Sequence, residues 1–268
     1  MKKRIFKMLS LGIKQFSDPY YQGFAAQLSF YFILSLVPIV LLISQLLGFF
    51  LETSIQDAVG WLLNYVEGEV ADQMEQLLSY RSAGATNIVF FVIALWASSR
   101  AQFSMMRITN FTFTDGKSTG RGYWRERFRA VRTMGFTLLV IIVALVVLVY
   151  GGKLLELLTN NASLWLIIRW PVALALYFMM ISYNYYMLPS DKVKFREIIP
   201  GSIFASVGLL LVTVVYSKYT GTVASYDILY GSLATVVALM FWFYFLAWVL
   251  CLGVLFNKVW MDTEDSTN

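Results

Sequence analysis

NIVFFVIALWASSRAQFSMMRITN, residues 87–110, starts as a membrane span and is then interrupted. NIVFFVIAL reads as the outer half of a transmembrane helix. Ser98, Ser99 and Arg100 follow where apolar residues should continue, and no acidic residue lies nearby. An Arg near the bilayer centre costs at least about 2.5 kcal/mol on insertion scales, less if it snorkels. Arg100 is therefore expected to face the bundle interior, water or an anionic ligand. Arg107 lies close enough to the inner surface to need no such account.

The surrounding composition makes a membrane reading necessary. The chain has 268 residues, of which 59% are hydrophobic and 14% charged, against about 25% charged in a soluble domain. A span needs about 20 apolar residues. Six segments meet that requirement: 24–50, 85–107, 133–151, 164–188, 200–217 and 229–257. The expected fold is an all-α polytopic membrane protein with six transmembrane helices.

The loop charges orient it. Sixteen of the 21 Lys and Arg fall on one side, in the N-terminus, 107–132, 189–199 and the C-terminus. The other side carries Arg81, Lys153 and Lys218. Cytoplasmic segments carry the Lys/Arg excess, so both termini are expected to be cytoplasmic. Residues 1–23 are expected to form an interfacial amphipathic helix, 24–257 the six-helix domain, and 258–268 a short acidic cytoplasmic tail. Lys3, Lys7 and Lys14 share one side of that first helix, with Ile5, Leu9, Ile13 and Phe16 on another. The outer connection 51–83 is acidic, with apolar residues at helical spacing, and reads as one or two amphipathic helices.

A further amphipathic piece, GRGYWRERFRAVR, lies at the cytoplasmic surface. Arg121, Arg125, Arg129 and Arg132 line one face, beside Trp124, Phe128 and Val131. Near a membrane this pattern suits anionic lipid headgroups, each cation contributing about 1 kcal/mol. A topology determinant without a ligand competes with that reading. RNA contact is a third, because basic and aromatic residues also mark nucleic-acid surfaces.

No Asp or Glu falls inside any span. Arg100 must then find hydroxyls, carbonyls, water or a ligand, with Gln27, Ser29, Ser35, Gln45, Ser98, Ser99, Asn184 and Asn257 as neutral candidates. A negatively charged substrate fits better than a positive one. A buried hydrogen-bond knot that fixes helix packing is the competing account. The chain has no histidine, which removes the commonest general base and metal ligand. Its single cysteine, Cys251, excludes an internal disulfide. Pro38 breaks span one and frees the Leu34 carbonyl. Gly201, Ser202, Ala205, Ser206 and Gly208 permit close helix approach in span five, and Gly231, Ala234 and Ala238 do so in span six.

Several ordered stretches carry a resemblance. They are AAQLSFYFILSLVP at 25–38, SSRAQFSMMRITN at 98–110, Leu188–Pro189, PGSIFAS at 200–206, YGSLATVVALMFWFY at 230–244 and LGVLFN at 252–257. Together they resemble the YihY/BrkB family of bacterial inner-membrane proteins, whose older label was ribonuclease BN. The resemblance covers nearly the whole chain. It implies a six-helix inner-membrane protein, and its associations include serum resistance and export of envelope lipid precursors.

On that footing the expected function is a membrane transporter or flippase-like protein for an anionic amphiphile, an envelope lipid or lipid precursor, with an Arg-centred polar cavity. Arg100 would contact the anionic group, Ser99, Gln27 and Asn110 would orient it, and Tyr31, Tyr230 and Trp242 would line the route. Membrane lipids are the expected partners, with no nucleic acid and no cofactor. A homo-oligomer or an envelope-assembly partner is a further expectation. A non-transporting scaffold or assembly factor is the alternative function. The ribonuclease label fits poorly, because phosphodiester hydrolysis by metal wants clustered carboxylates or histidines. The inner-side acids Asp18, Asp115, Glu126, Asp191, Glu197, Asp262, Glu264 and Asp265 are scattered.

Overall fold

The structure is a computed structural model that describes residues 10, 17, 19–50, 85–116, 122–159, 163–191, 193–222 and 232–264. Most of these residues lie in six helices: α1 (Pro19–Phe50), α2 (Ala85–Phe113), α3 (Tyr123–Thr159), α4 (Ser163–Met187), α5 (Phe195–Thr222) and α6 (Ser232–Glu264). Even α4, at 25 residues, is about 37 Å long at helical rise, against a hydrocarbon core of roughly 30 Å.

Among the described residues, five helices, α1 and α3 to α6, are long and apolar enough to cross a membrane. The sixth expected span, α2, is long enough at 29 residues. Part of its apolar outer half lies among residues whose side chains are outside the described set, so its apolarity is read from the sequence.

Other boundaries also move. GRGYWRERFRAVR and the span after it are one continuous helix, α3, from Tyr123 onward. The expected tail at 258–268 is helical as far as Glu264. Pro38 does not break α1, which continues through it to Phe50. Most of the expected interfacial helix at 1–23 and all of the expected helices at 51–83 lie outside the described residues, while residues 19–23 belong to α1.

Contacts divide the chain into two units, and α1 to α4 each contribute to both. The first comprises residues 1–33, 101–133 and 177–268, and the second residues 34–100 and 134–176. In the first, Leu28, Met106, Ile108, Tyr185, Ile198 and Val254 form the buried core. Small residues let α5 and α6 approach there: a Cβ on Gly201 would strike the Gly253 carbonyl and the Asn257 side chain. A Cβ on Gly253 would meet the Tyr185 hydroxyl, with Ala205 Cβ at 2.8 Å and the Gly201 carbonyl at 3.0 Å. Helices in lipid associate mainly by such close packing, since burying apolar surface gains little when the solvent is also apolar. The expected approach residues on α5 are therefore confirmed at Gly201 and Ala205. On α6 the contact falls on Gly253; Gly231 lies outside the described residues, as does the side chain of Ala234.

The second unit has a smaller core of Leu42, Ala94, Met134 and Leu138, with Ile39, Phe91 and Leu95 packed against it. Trp165 of α4 lies over Gly151 and Gly152 of α3. Outward faces carry Val92, Ile167, Leu211, Val215, Phe241 and Phe245, all exposed. Apolar side chains arrayed outward along helices of this length suit a lipid solvent.

The end of α2 is closed by a Schellman turn. Gly116 N–H donates to the Phe111 carbonyl at 2.9 Å, and Asp115 and Gly116 take φ of 52° and 79°. This left-handed geometry returns the chain and satisfies a terminal carbonyl. Lys258 of α6 then pairs with Asp115 at 3.3 Å and with Asp262 at 3.1 Å.

Candidate functional site

The expected substrate residues divide between the two units. Ser99 and Arg100 belong to the second, and Gln27, Tyr31, Asn110 and Trp242 to the first. Tyr230 lies outside the described residues.

Arg100 sits one residue past the midpoint of α2, and its side chain is exposed on the helical face that also carries the exposed Val89 and Ile93, so of the expected surroundings the bundle interior is not the one it takes. It makes no hydrogen bond or ion pair among the described residues. Its neighbours behave differently. Ser98 and Ser99 are fully buried and donate within their own helix, Ser98 Oγ to the Leu95 carbonyl at 3.1 Å and Ser99 Oγ to the Trp96 carbonyl at 2.7 Å. Ser99 thus spends its proton on the backbone, which lets a hydroxyl sit in an apolar core without an orphaned donor.

Asn110, expected to orient a substrate, holds a turn. Its Oδ1 accepts the Ser190 N–H at 2.7 Å, and its Nδ2 donates to Ser190 Oγ at 3.0 Å. Trp242 stacks on Tyr216 with centroids 5.3 Å apart and planes 21° apart, and leans on Phe243. Its indole Nε1 is buried without an acceptor among the described residues. Gln27 and Tyr31 are half-buried, and the Tyr31 ring meets Phe30 at 5.6 Å.

The basic start of α3 carries an open surface recess. Arg125, Phe128, Arg129 and Arg132 line a cleft of about 320 Å³. Their positions at i, i+3, i+4 and i+7 stack them on one helical face. Arg125 and Arg132 are exposed and make no hydrogen bond or ion pair among the described residues. Arg129 is half-buried, and its Nη1 donates to the Pro189 carbonyl at 2.7 Å. Arg121 lies outside the described residues.

Arg127 is the residue that sequence reading missed. It was one of several loop cations, yet only 2% of it is exposed, and its guanidinium lies 5.7 Å from the Phe103 ring centroid. Arg107 lies 5.8 Å from the same ring. A signal existed: Arg127 is two positions from Arg125 and so about 200° around the helix, off the face the other arginines share. Cations over aromatic faces gain about 0.5–2 kcal/mol, more where water is excluded. Tyr123 meets Phe103 edge-on at 5.8 Å, so this stack ties the start of α3 to α2.

Among the described residues, no three His, Cys, Asp or Glu side chains gather closely enough to hold a metal ion.

Comparison with known proteins places these features in a family. The family described as Virulence factor BrkB matches residues 13–267. The ribonuclease-like protein YfkH of Bacillus subtilis is 27% identical over 243 residues, which cover 87% of each chain. A UPF0761 membrane protein of Verminephrobacter eiseniae is 27% identical over 244 residues, 85% of this chain and 55% of that one. Another, of Albidiferax ferrireducens, is 33% identical over 146 residues, 50% of this chain and 34% of that one. The chain thus spans most of YfkH but only part of these longer relatives. No solved structure matches it.

Proposed function

The chain belongs to the virulence factor BrkB family, and from that premise we propose that it is an inner-membrane transporter or flippase-like protein for an anionic amphiphile. In this reading α2 completes a set of six spans, both termini face the cytoplasm, and the arginines at the start of α3 meet anionic headgroups.

The observation that carries the reading is Arg100. A cation at the middle of α2, unpaired among the described residues and exposed on the face that carries Val89 and Ile93, is open to an anionic group arriving from outside the helix packing. Its cost near mid-membrane, at least about 2.5 kcal/mol, asks for a counter-charge. With acids absent from the apolar spans, a ligand's phosphate or carboxylate can supply that charge. The surplus of Lys and Arg in the inner loops supports the orientation. Hydrolysis remains the less favoured reading, since the inner-side acids are scattered along the sequence.

Reconstitution tests it. Liposomes containing the full chain and a fluorescent anionic phospholipid are expected to move that lipid between leaflets faster than protein-free vesicles. Arg100→Ala should slow the movement about tenfold, equivalent to about 1.4 kcal/mol. Arg100→Lys should retain part of it. Wild-type protein that moves no lipid would overturn the transport reading, and a stably co-purifying envelope protein in that case would favour a scaffold.

A further inference from the structure

We propose that the cleft at the start of α3 is a preorganised site for a lipid bearing a phosphomonoester headgroup. The inference rests on the reading above for the level at which this end of α3 meets the membrane, and adds to it the charge class of the lipid.

Three guanidiniums line one cleft, and two of them, Arg125 and Arg132, have no partner among the described residues. Three like charges on one helical face repel unless an anion joins them. A phosphodiester headgroup supplies one negative charge. A phosphomonoester carries about 1.5 to 2 near neutral pH and offers three acceptor oxygens. Guanidinium groups present paired donors that match phosphate oxygens bidentately, so the more highly charged headgroup satisfies more of this cleft.

Arg129 makes the site a built one. The Pro189 carbonyl holds its Nη1 at 2.7 Å, and Asn110 in turn clamps the adjoining Ser190 through both amide atoms. Binding therefore need not order Arg129 from a free rotamer, which removes part of the entropic cost.

The apolar component points to a lipid rather than a soluble phosphate ester. Phe128 lines the cleft and is 64% exposed, and Tyr123 and Trp124 beside it are exposed at 58% and 64%. Their rings form a chain, Tyr123 to Trp124 at 5.6 Å and Trp124 to Phe128 at 6.5 Å. Aromatic side chains of this kind settle at the boundary between headgroups and acyl chains.

Native mass spectrometry of the full chain in detergent tests the assignment, with phosphatidic acid, phosphatidylglycerol and phosphatidylcholine as probes. Wild-type protein should retain phosphatidic acid about tenfold more than phosphatidylglycerol, and phosphatidylcholine least. The double variant R125Q/R132Q should lose that preference. R196Q, which removes an exposed charge at the start of α5, should keep it. The R125K/R132K pair preserves charge, and with it a second reading should the glutamine variant misfold; its retention should drop several-fold. Equal retention of the two acidic lipids, or an unchanged preference in both double variants, would overturn the site. Displacement by glycerol 3-phosphate as effective as by phosphatidic acid would overturn its assignment to lipid. Lipid retention with failed transport would sink the transport reading alone, and transport without the preference would sink this one.

Discussion

Replacing Gly253 with valine is expected to abolish recovery of folded protein from detergent extracts, and alanine is expected to reduce it. The reason is the α5–α6 crossing. A Cβ at Gly253 enters the Tyr185 hydroxyl and comes within 2.8 Å of Ala205 Cβ and 3.0 Å of the Gly201 carbonyl. Two of those neighbours cannot rotate away, because one is backbone and the other is a methyl on a helix. The third is committed: Tyr185 is fully buried and donates to the Leu250 carbonyl at 2.7 Å. Overpacking typically costs about 1–3 kcal/mol when side chains can adjust, and here the backbones themselves must separate. That separation would also strain the bond from Gly201 N–H to Asn257 Oδ1, 2.6 Å long and fully buried at Asn257. Gly135→Ala in α3 is the control, since a Cβ there meets nothing within 4 Å. It should be neutral or gain up to about 1 kcal/mol from helix propensity. Fluorescence-detected size exclusion and melting of the monodisperse peak read both variants. Normal yield and melting of Gly253→Val would show that the helices do not cross as closely as described.

Helix content and identity were legible because lipid imposes long apolar runs, and such runs are hard to mistake. Small residues on α5 were legible for the same reason, as close approach needs them at one-turn spacing. The partner on α6 was not. Gly253 sits inside LGVLFN, a stretch that carried the family resemblance, and nothing local says which helix it touches. Asn110 and Arg129 show the same limit from the polar side. Both stood out as polar residues at a membrane boundary, and the sequence suggested a ligand for each. The bonds that hold them reach 80 and 60 residues along the chain, to Ser190 and Pro189. Arg127 was hidden differently: a cation in a basic loop looks solvated until its angular position is compared with its neighbours. Arg100 was visible as an anomaly from the start, because a guanidinium within an apolar run stands out in the sequence alone.

Asn110→Ala is expected to destabilise the protein by about 2–4 kcal/mol and to weaken retention of phosphatidic acid, although Asn110 does not line the cleft. Ser190 is 2% exposed, and both its N–H and its hydroxyl depend on the Asn110 amide. Alanine leaves the N–H without that acceptor, and a buried group stripped of its partner costs about 1–3 kcal/mol. The loosened turn also carries the Pro189 carbonyl, which fixes Arg129. Asn110→Asp separates the two halves of the clamp. It keeps an acceptor for the Ser190 N–H but loses the amide donor, so it should fall between wild type and alanine in melting. Ser190→Ala removes only the hydroxyl and should cost about 1 kcal/mol. Combined with Asn110→Ala, it should cost less than the sum of the two single changes, because both act on one bonded pair. Additive losses, or an alanine variant that melts and retains lipid as wild type does, would mean that the turn is held by other groups and that Arg129 takes its position without it.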